Sequence, residues 1–144
     1  MNTDQKTVEE TNREQLLRSL EHGGLEGALA ALETYYAAGF VRHGDKGDYD
    51  KARLAGGLRR LYAGFPDLKR DQFDIISQGD RVAYRWEATG THLGEYLGVR
   101  PTHRPVTARG MVLCRFEHGL IAEEWASWNK VSLLHDLGII PLGR

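Results

Sequence analysis

The hydrophobic spacing of this chain changes once, at Gly64-Phe65-Pro66, and that change restricts what it can fold into. Before this point apolar residues recur every three or four positions. From Leu68 onward the period shortens towards two, and turn residues punctuate the text. Pro66 has no amide to donate and restricts Phe65, so no helix runs through the junction. A helical half followed by a strand meander reads as an α+β fold, with helices laid on one face of a curved antiparallel sheet. The 144 residues suffice for one core. The expected organisation is a disordered start at residues 1–6 and a single domain over 7–144.

Local signals place the elements. Thr7 and Glu10 have capping-box spacing, Val8, Leu16, Leu17 and Leu20 form a thin apolar stripe, and Gly23-Gly24 stops the helix. Alanine and leucine predict a second helix from Leu25 to about Tyr36. Phe40-Val41-Arg42-His43 reads as a short extended segment, and the glycines and aspartates after it as a loop. A third helix is predicted from Tyr49 to Ala63, with Leu54, Leu58, Leu61 and Tyr62 on one face. Strands follow at 73–77, 81–89, 106–116 and 120–129, with turns at Gly79-Asp80 and Glu117-His118-Gly119. A short helix is predicted over 130–137.

Charge and cysteine content remove several function classes. Lysine plus arginine (19) nearly balance aspartate plus glutamate (20), giving a formal net charge of −1. That balance gives no electrostatic reason for a nucleic-acid or membrane partner. The single cysteine, Cys114, excludes an intrachain disulfide framework and a multi-cysteine zinc site. No run approaches the roughly 20 apolar residues of a membrane span, and the first six residues are polar, so a cytoplasmic location is expected. The six histidines show no metal-ligand spacing, and Asp45, Asp48 and Asp50 lack the EF-hand pattern. No metal site is expected.

Alternation along the last two long strands suggests a cavity. Gly110, Val112, Cys114 and Phe116 point one way, and Met111, Leu113 and Arg115 the other. Both sets are largely apolar, so helices are expected on one face and a second copy of the chain on the other. The return strand sorts Ala122, Glu124, Ala126 and Trp128 against Ile121, Glu123, Trp125 and Ser127. Regular pairing turns one of the two glutamates inward, where desolvation raises a carboxyl pKa and makes Glu124 a candidate acid/base. A bulge would instead let both glutamates reach solvent or pair with arginines. His43 is a second candidate, as proton shuttle or as a packed structural residue. Tyr35, Tyr36, Trp86 and Trp128 offer aromatic walls for a flat ligand, or ordinary core. His92 sits in a loop context among glycines and prolines.

The blocks Phe40-Val41-Arg42-His43, Gly64-Phe65-Pro66-Asp67-Leu68 and Gly79-Asp80-Arg81-Val82 continue into Gly90-Thr91-His92-Leu93-Gly94-Glu95-Tyr96-Leu97-Gly98. Pro101-Thr102-His103-Arg104-Pro105-Val106, Glu124-Trp125 and Leu137-Gly138 complete the series. In this order the chain resembles the SnoaL-like polyketide cyclases, within the superfamily of ketosteroid isomerase and nuclear transport factor. The resemblance covers roughly residues 25–140. It implies a cone-shaped α+β barrel with N-terminal helices over a curved antiparallel or mixed sheet. It further implies a hydrophobic, polyketide-like substrate held inside, no cofactor, and a homodimer or higher homo-oligomer. The cyclases close a ring by aldol condensation, which needs a base and donors for the developing enolate. Their acid/base aspartate corresponds to Ala126 and a neighbouring histidine to Val112, and neither side chain present here moves protons. Acid/base work would shift to Glu124 or His43, with Asn129 and Trp128 orienting substrate and Tyr35, Tyr36, Trp86, His92, Val112 and Ala126 lining its site. Some relatives are implicated in cofactor-independent hydroxylation of the polyketide, which would suit the vacant positions and call for a separate reductase. A binding or dimerisation module without catalysis is the third reading.

Overall fold

The structure is a computed structural model and describes residues 6–140. Residues 1–5 of the expected disordered start lie outside the described residues. Lys6 is described, with its Nζ 2.7 Å from Glu14 Oε2.

The elements run α1 (Val8–Leu20), α2 (Gly24–Tyr35), β1 (Tyr36–Gly44), β2 (Gly47–Tyr49), α3 (Lys51–Gly64), β3 (Lys69–Gln78), β4 (Arg81–Thr91), β5 (Pro105–Glu117), β6 (Leu120–Trp128) and α4 (Lys130–Asp136). The class is α+β, as the change of period dictates. Thr7 and Glu10 close the capping box at α1, with both reciprocal bonds at 3.1 Å. Asp50 caps α3 by accepting from the Arg53 amide at 2.8 Å, and Asn129 caps α4 by accepting from the Ser132 amide at 3.1 Å. Among the described residues no helix is long and apolar enough to cross a membrane.

The strands form one mixed sheet in the order β2-β1-β6-β5-β4-β3. β3 to β6 are an antiparallel meander, β1 joins β6 in parallel, and β2 returns antiparallel to β1. The sheet curls without closing, because β2 and β3 are edges that do not pair with each other. The expected barrel is therefore open on one side.

Helices α1 to α3 cover the concave face. α1 contributes Leu16 together with buried Asn12 and Ser19, while Val8 stands exposed, so its buried face is narrower than the sequence stripe. Leu16, Leu32, Tyr36 and Phe40 pack on Val82, Tyr84, Val112, Cys114, Phe116 and Ile121 in the larger core cluster. A second cluster of Phe65, Val106, Leu133 and Leu137 lies where α4 folds back on the sheet.

The Gly64-Phe65-Pro66-Asp67 turn and the 91–104 loop are built as one unit. The amides of Leu93 and Gly94 both donate to the Gly64 carbonyl, at 3.0 and 3.1 Å. The Asp67 carboxylate accepts from the Thr91 amide and hydroxyl, each at 2.7 Å, and these bonds hold its pKa below the usual carboxylate range. Phe65 meets Tyr96 edge-on, 5.1 Å between centroids. Most of the blocks that carry the family resemblance are therefore joints of the fold.

Candidate functional site

A cavity of about 610 Å³ lies between the helices and the concave sheet face, joining the two core clusters. Its volume is within the range of small-molecule sites. The α3 face read from the sequence, Leu54, Leu58, Leu61 and Tyr62, lines it, which accounts for the intermediate exposure of the last three. The opposite wall is the inward set of β4, β5 and β6. Val112 and Ala126 are register partners across β5 and β6 and both line the cavity, so the two positions emptied of proton-moving groups face each other as apolar wall.

Trp86 and Trp128 form the flat part of that wall, with ring centroids 6.4 Å apart. They meet over Gly110, the register partner of both. A Cβ at Gly110 would lie 2.6 Å from the Trp86 ring and 2.7 Å from Trp128 Cβ, so the glycine is what lets the two indoles come together.

The polar part of the lining consists of a few fixed groups. Arg42 projects from β1 and is held by Glu124, whose Oε1 accepts from Arg42 Nε at 3.2 Å and Nη2 at 2.9 Å. Glu124 is fully buried on the inward side of β6, beside its register partner Cys114, whose thiol donates to Oε2 at 3.4 Å. The alternation thus turns Glu124 inward and Glu123 outward. Glu124 does not line the cavity; it acts on it through Arg42, whose pKa burial lowers but the Glu124 carboxylate, with Tyr36, raises by more. Burial and the Glu124 charge push the Tyr36 phenol well above its usual pKa, which keeps a neutral O–H donor in the lining. On β3, Arg70 Nη2 donates to Tyr84 Oη at 3.0 Å, and its guanidinium lies 5.3 Å from the Trp86 ring centroid.

The other candidates stand elsewhere. His43 is on the outer face of the sheet, stacked on Trp125 at 5.3 Å, with Nδ1 2.7 Å from Asp48 and Nε2 2.6 Å from Glu123. Those two carboxylates raise its pKa, and His43 with Arg115 lowers that of Glu123. His92 is fully buried in the 91–104 loop, where Nδ1 accepts from the Thr102 amide at 3.1 Å; it fastens the loop and does not line the cavity. Tyr35 is half-buried at the end of α2, outside the lining. Asn129 is occupied as the α4 cap and borders a shallow outer groove with Arg85, Arg109 and Met111. Of the ten sequence candidates, the cavity brings together Tyr36, Trp86, Val112, Ala126 and Trp128.

Arg42, Arg70 and His22 are lining residues that sequence reasoning did not single out. Arg70 was hidden because charged residues open β3 and the apolar signal starts only at Phe73. Among the described residues no group of three or more histidine, cysteine, aspartate or glutamate side chains is arranged to hold a metal ion.

A family model described as SnoaL-like polyketide cyclase matches residues 14–137. Among solved structures, the chain is similar to AclR, a proposed hydroxylase from Streptomyces galilaeus, with a TM-score of 0.85 and 26% identity, covering 92% of this chain and 99% of that one. It is similar to IdmH, a proposed polyketide cyclase from Streptomyces antibioticus, with a TM-score of 0.72 and 28% identity over 92% and 99% of the two chains. A SnoaL-like protein from Jannaschia sp. CCS1 shares the fold at a TM-score of 0.84 with 21% identity, over 97% and 100%. No curated protein matches by sequence. With the family model spanning most of its length and the same curled sheet in these neighbours, the chain belongs to the SnoaL-like polyketide cyclase family.

Proposed function

We propose that this chain is an enzyme that takes a flat, hydrophobic, polycyclic molecule of polyketide type into its cavity and modifies a ring by proton-transfer chemistry. The observation that carries this reading is the apolar cavity of about 610 Å³ with an indole wall and two anchored guanidinium groups. An apolar lining favours a planar ring system by desolvation, and a few fixed donors orient its oxygens. Arg42 polarises a substrate oxygen, and Glu124 is the positioning residue that keeps the guanidinium in place. The Tyr36 hydroxyl is a neutral donor beside it. The charge that develops on a carbonyl oxygen during enolisation is what such donors stabilise.

Hydroxylation without a resident cofactor is the second reading. Two observations favour it: the similarity to AclR, and the apolar side chains at Val112 and Ala126, which leave that part of the wall without a proton-moving group.

The test is titration of tryptophan fluorescence with a tetracyclic anthraquinone. Saturable quenching is expected, because Trp86 and Trp128 line the cavity, and Ala126→Trp should abolish it by filling the space. Absence of saturable quenching, or quenching that Ala126→Trp leaves intact, would contradict the reading. Incubation of polyketide substrate with and without dioxygen separates the two chemistries, since only hydroxylation consumes it.

A further inference from the structure

The two guanidinium groups anchored in the cavity differ in charge balance. Arg42 is neutralised by Glu124. Arg70 is not: among the described residues it has no ion-pair partner, whereas Arg81, Arg85, Arg109 and Arg115 each have one. What holds Arg70 is uncharged. Its Nη2 donates to Tyr84 Oη at 3.0 Å, and its guanidinium lies 5.3 Å from the Trp86 ring centroid and 6.0 Å from that of Tyr84. Burial keeps the Tyr84 phenol protonated, so this partner orients the cation without cancelling it. The remaining N–H donors of the fork are left for an occupant.

Charge on an edge strand can serve only to deter unwanted pairing. Lys69 and Asp71 fit that role, since they alternate to the outer side of β3 beside their register partners Thr89 and Glu87. Arg70 and Gln72 alternate the other way, beside Ala88 and Trp86, and all four line the cavity. Half-buried Gln72 thus brings a carboxamide to the same patch of wall. The other lining arginine without a carboxylate partner, Arg53, is differently placed. It donates to the Asp48 carbonyl at 3.0 Å and stacks on Tyr49, in a turn where Asp50 caps its own helix. Burial first, and the Arg70 charge second, lower the His22 pKa, so that imidazole adds no second cation beside Arg70.

Resting on the reading of this cavity as a site for flat polycyclic molecules, we propose that Arg70 and Gln72 form a carboxylate-binding cradle, so that the substrates are polycyclic acids bearing a free carboxylate. The ring system lies on the Trp86–Trp128 wall, and the carboxylate takes the open N–H edge of Arg70 with Gln72 donating beside it. Arg70 is solvent-exposed in the empty cavity, and an exposed ion pair is ordinarily weak because both side chains must be ordered to make it. Here Tyr84 and Trp86 have already ordered the guanidinium, and the ring system displaces water from around the pair. An ester or amide of the same shape covers the cation without neutralising it, which is what selects the acid.

The experiment compares anthraquinone-2-carboxylate with anthraquinone-2-carboxamide by tryptophan fluorescence titration at neutral pH. The wild-type protein is expected to bind the acid at least about tenfold more tightly than the amide. Arg70→Gln, checked for an intact thermal transition, should bring the acid down to the amide's affinity, and Arg70→Lys, which returns the charge without the fork, should restore part of the preference. Equal affinity of the wild-type protein for the two probes, or a preference for the acid that survives in Arg70→Gln, would overturn the assignment. If the amide quenches saturably and Ala126→Trp abolishes that quenching, yet the acid binds no more tightly, the cradle falls while the cavity reading stands. If neither probe quenches saturably, the functional reading falls and takes this inference with it.

Discussion

Glu124 has no solvent exposure, and its ion-pair partner among the described residues is Arg42, 82 positions away in sequence. An ion pair in that setting contributes little net stability, but removing one partner leaves a buried charge uncompensated. Glu124→Gln is therefore expected to destabilise the protein by about 3 kcal/mol, measured by urea unfolding. The same substitution should free Arg42 to change rotamer and weaken anthraquinone binding, although Glu124 itself does not touch the cavity. A variant as stable as the parent would show that the pair is not held as described. The residue scale was also where the sequence was hardest to read. Strand alternation says that regular pairing turns one of Glu123 and Glu124 inward without deciding which, and nothing in the chain between 42 and 124 announces the guanidinium that meets Glu124. For His43 the sequence left proton shuttle and packed structural residue both open, and it offered His92 as a lining residue; both are held by partners brought in by the fold, from β2 and β6 in one case and from Thr102 in the other.

At the scale of elements, periodicity located most helices and strands because each buries one face, and it failed where a strand does not. β2 is three residues of glycine, aspartate and tyrosine, paired only with β1, and it read as loop. The charged opening of β3 concealed its first turns of pleat, in keeping with edge strands that carry charge against unwanted pairing. Tyr36 to Gly39 read as helix end because alanine favours helix, whereas parallel pairing of Tyr36 with Ile121 makes this stretch the start of β1. Between β5 and its neighbours the decisive residue is Gly110. Gly110→Ala is expected to push Trp86 and Trp128 apart, cost about 1–3 kcal/mol by overpacking, and reduce anthraquinone quenching. Thermal unfolding and the fluorescence titration measure both. An alanine variant that keeps stability and quenching would mean the indoles have room that the geometry denies them.

For the whole molecule, the three helices form a roof and the curled sheet a floor, with cores at both ends and the cavity between them. The order of elements dictates this shape: helices come first, the meander follows, and β1 slots in parallel beside β6 to place Arg42 next to Glu124. Fold class was legible because a change of hydrophobic period survives any local ambiguity. The polar geometry of the cavity was not, because Arg42, Arg70 and His22 converge from β1, β3 and the α1–α2 connection only after the sheet has curled. The direct measurement is a crystal structure of the protein with a tetracyclic anthraquinone bound. The ring system is expected between α3 and the Trp86–Trp128 wall, with an oxygen on Arg42 or Arg70. A ligand seated instead in the outer groove beside Met111 and Asn129, with the cavity unoccupied, would contradict the account.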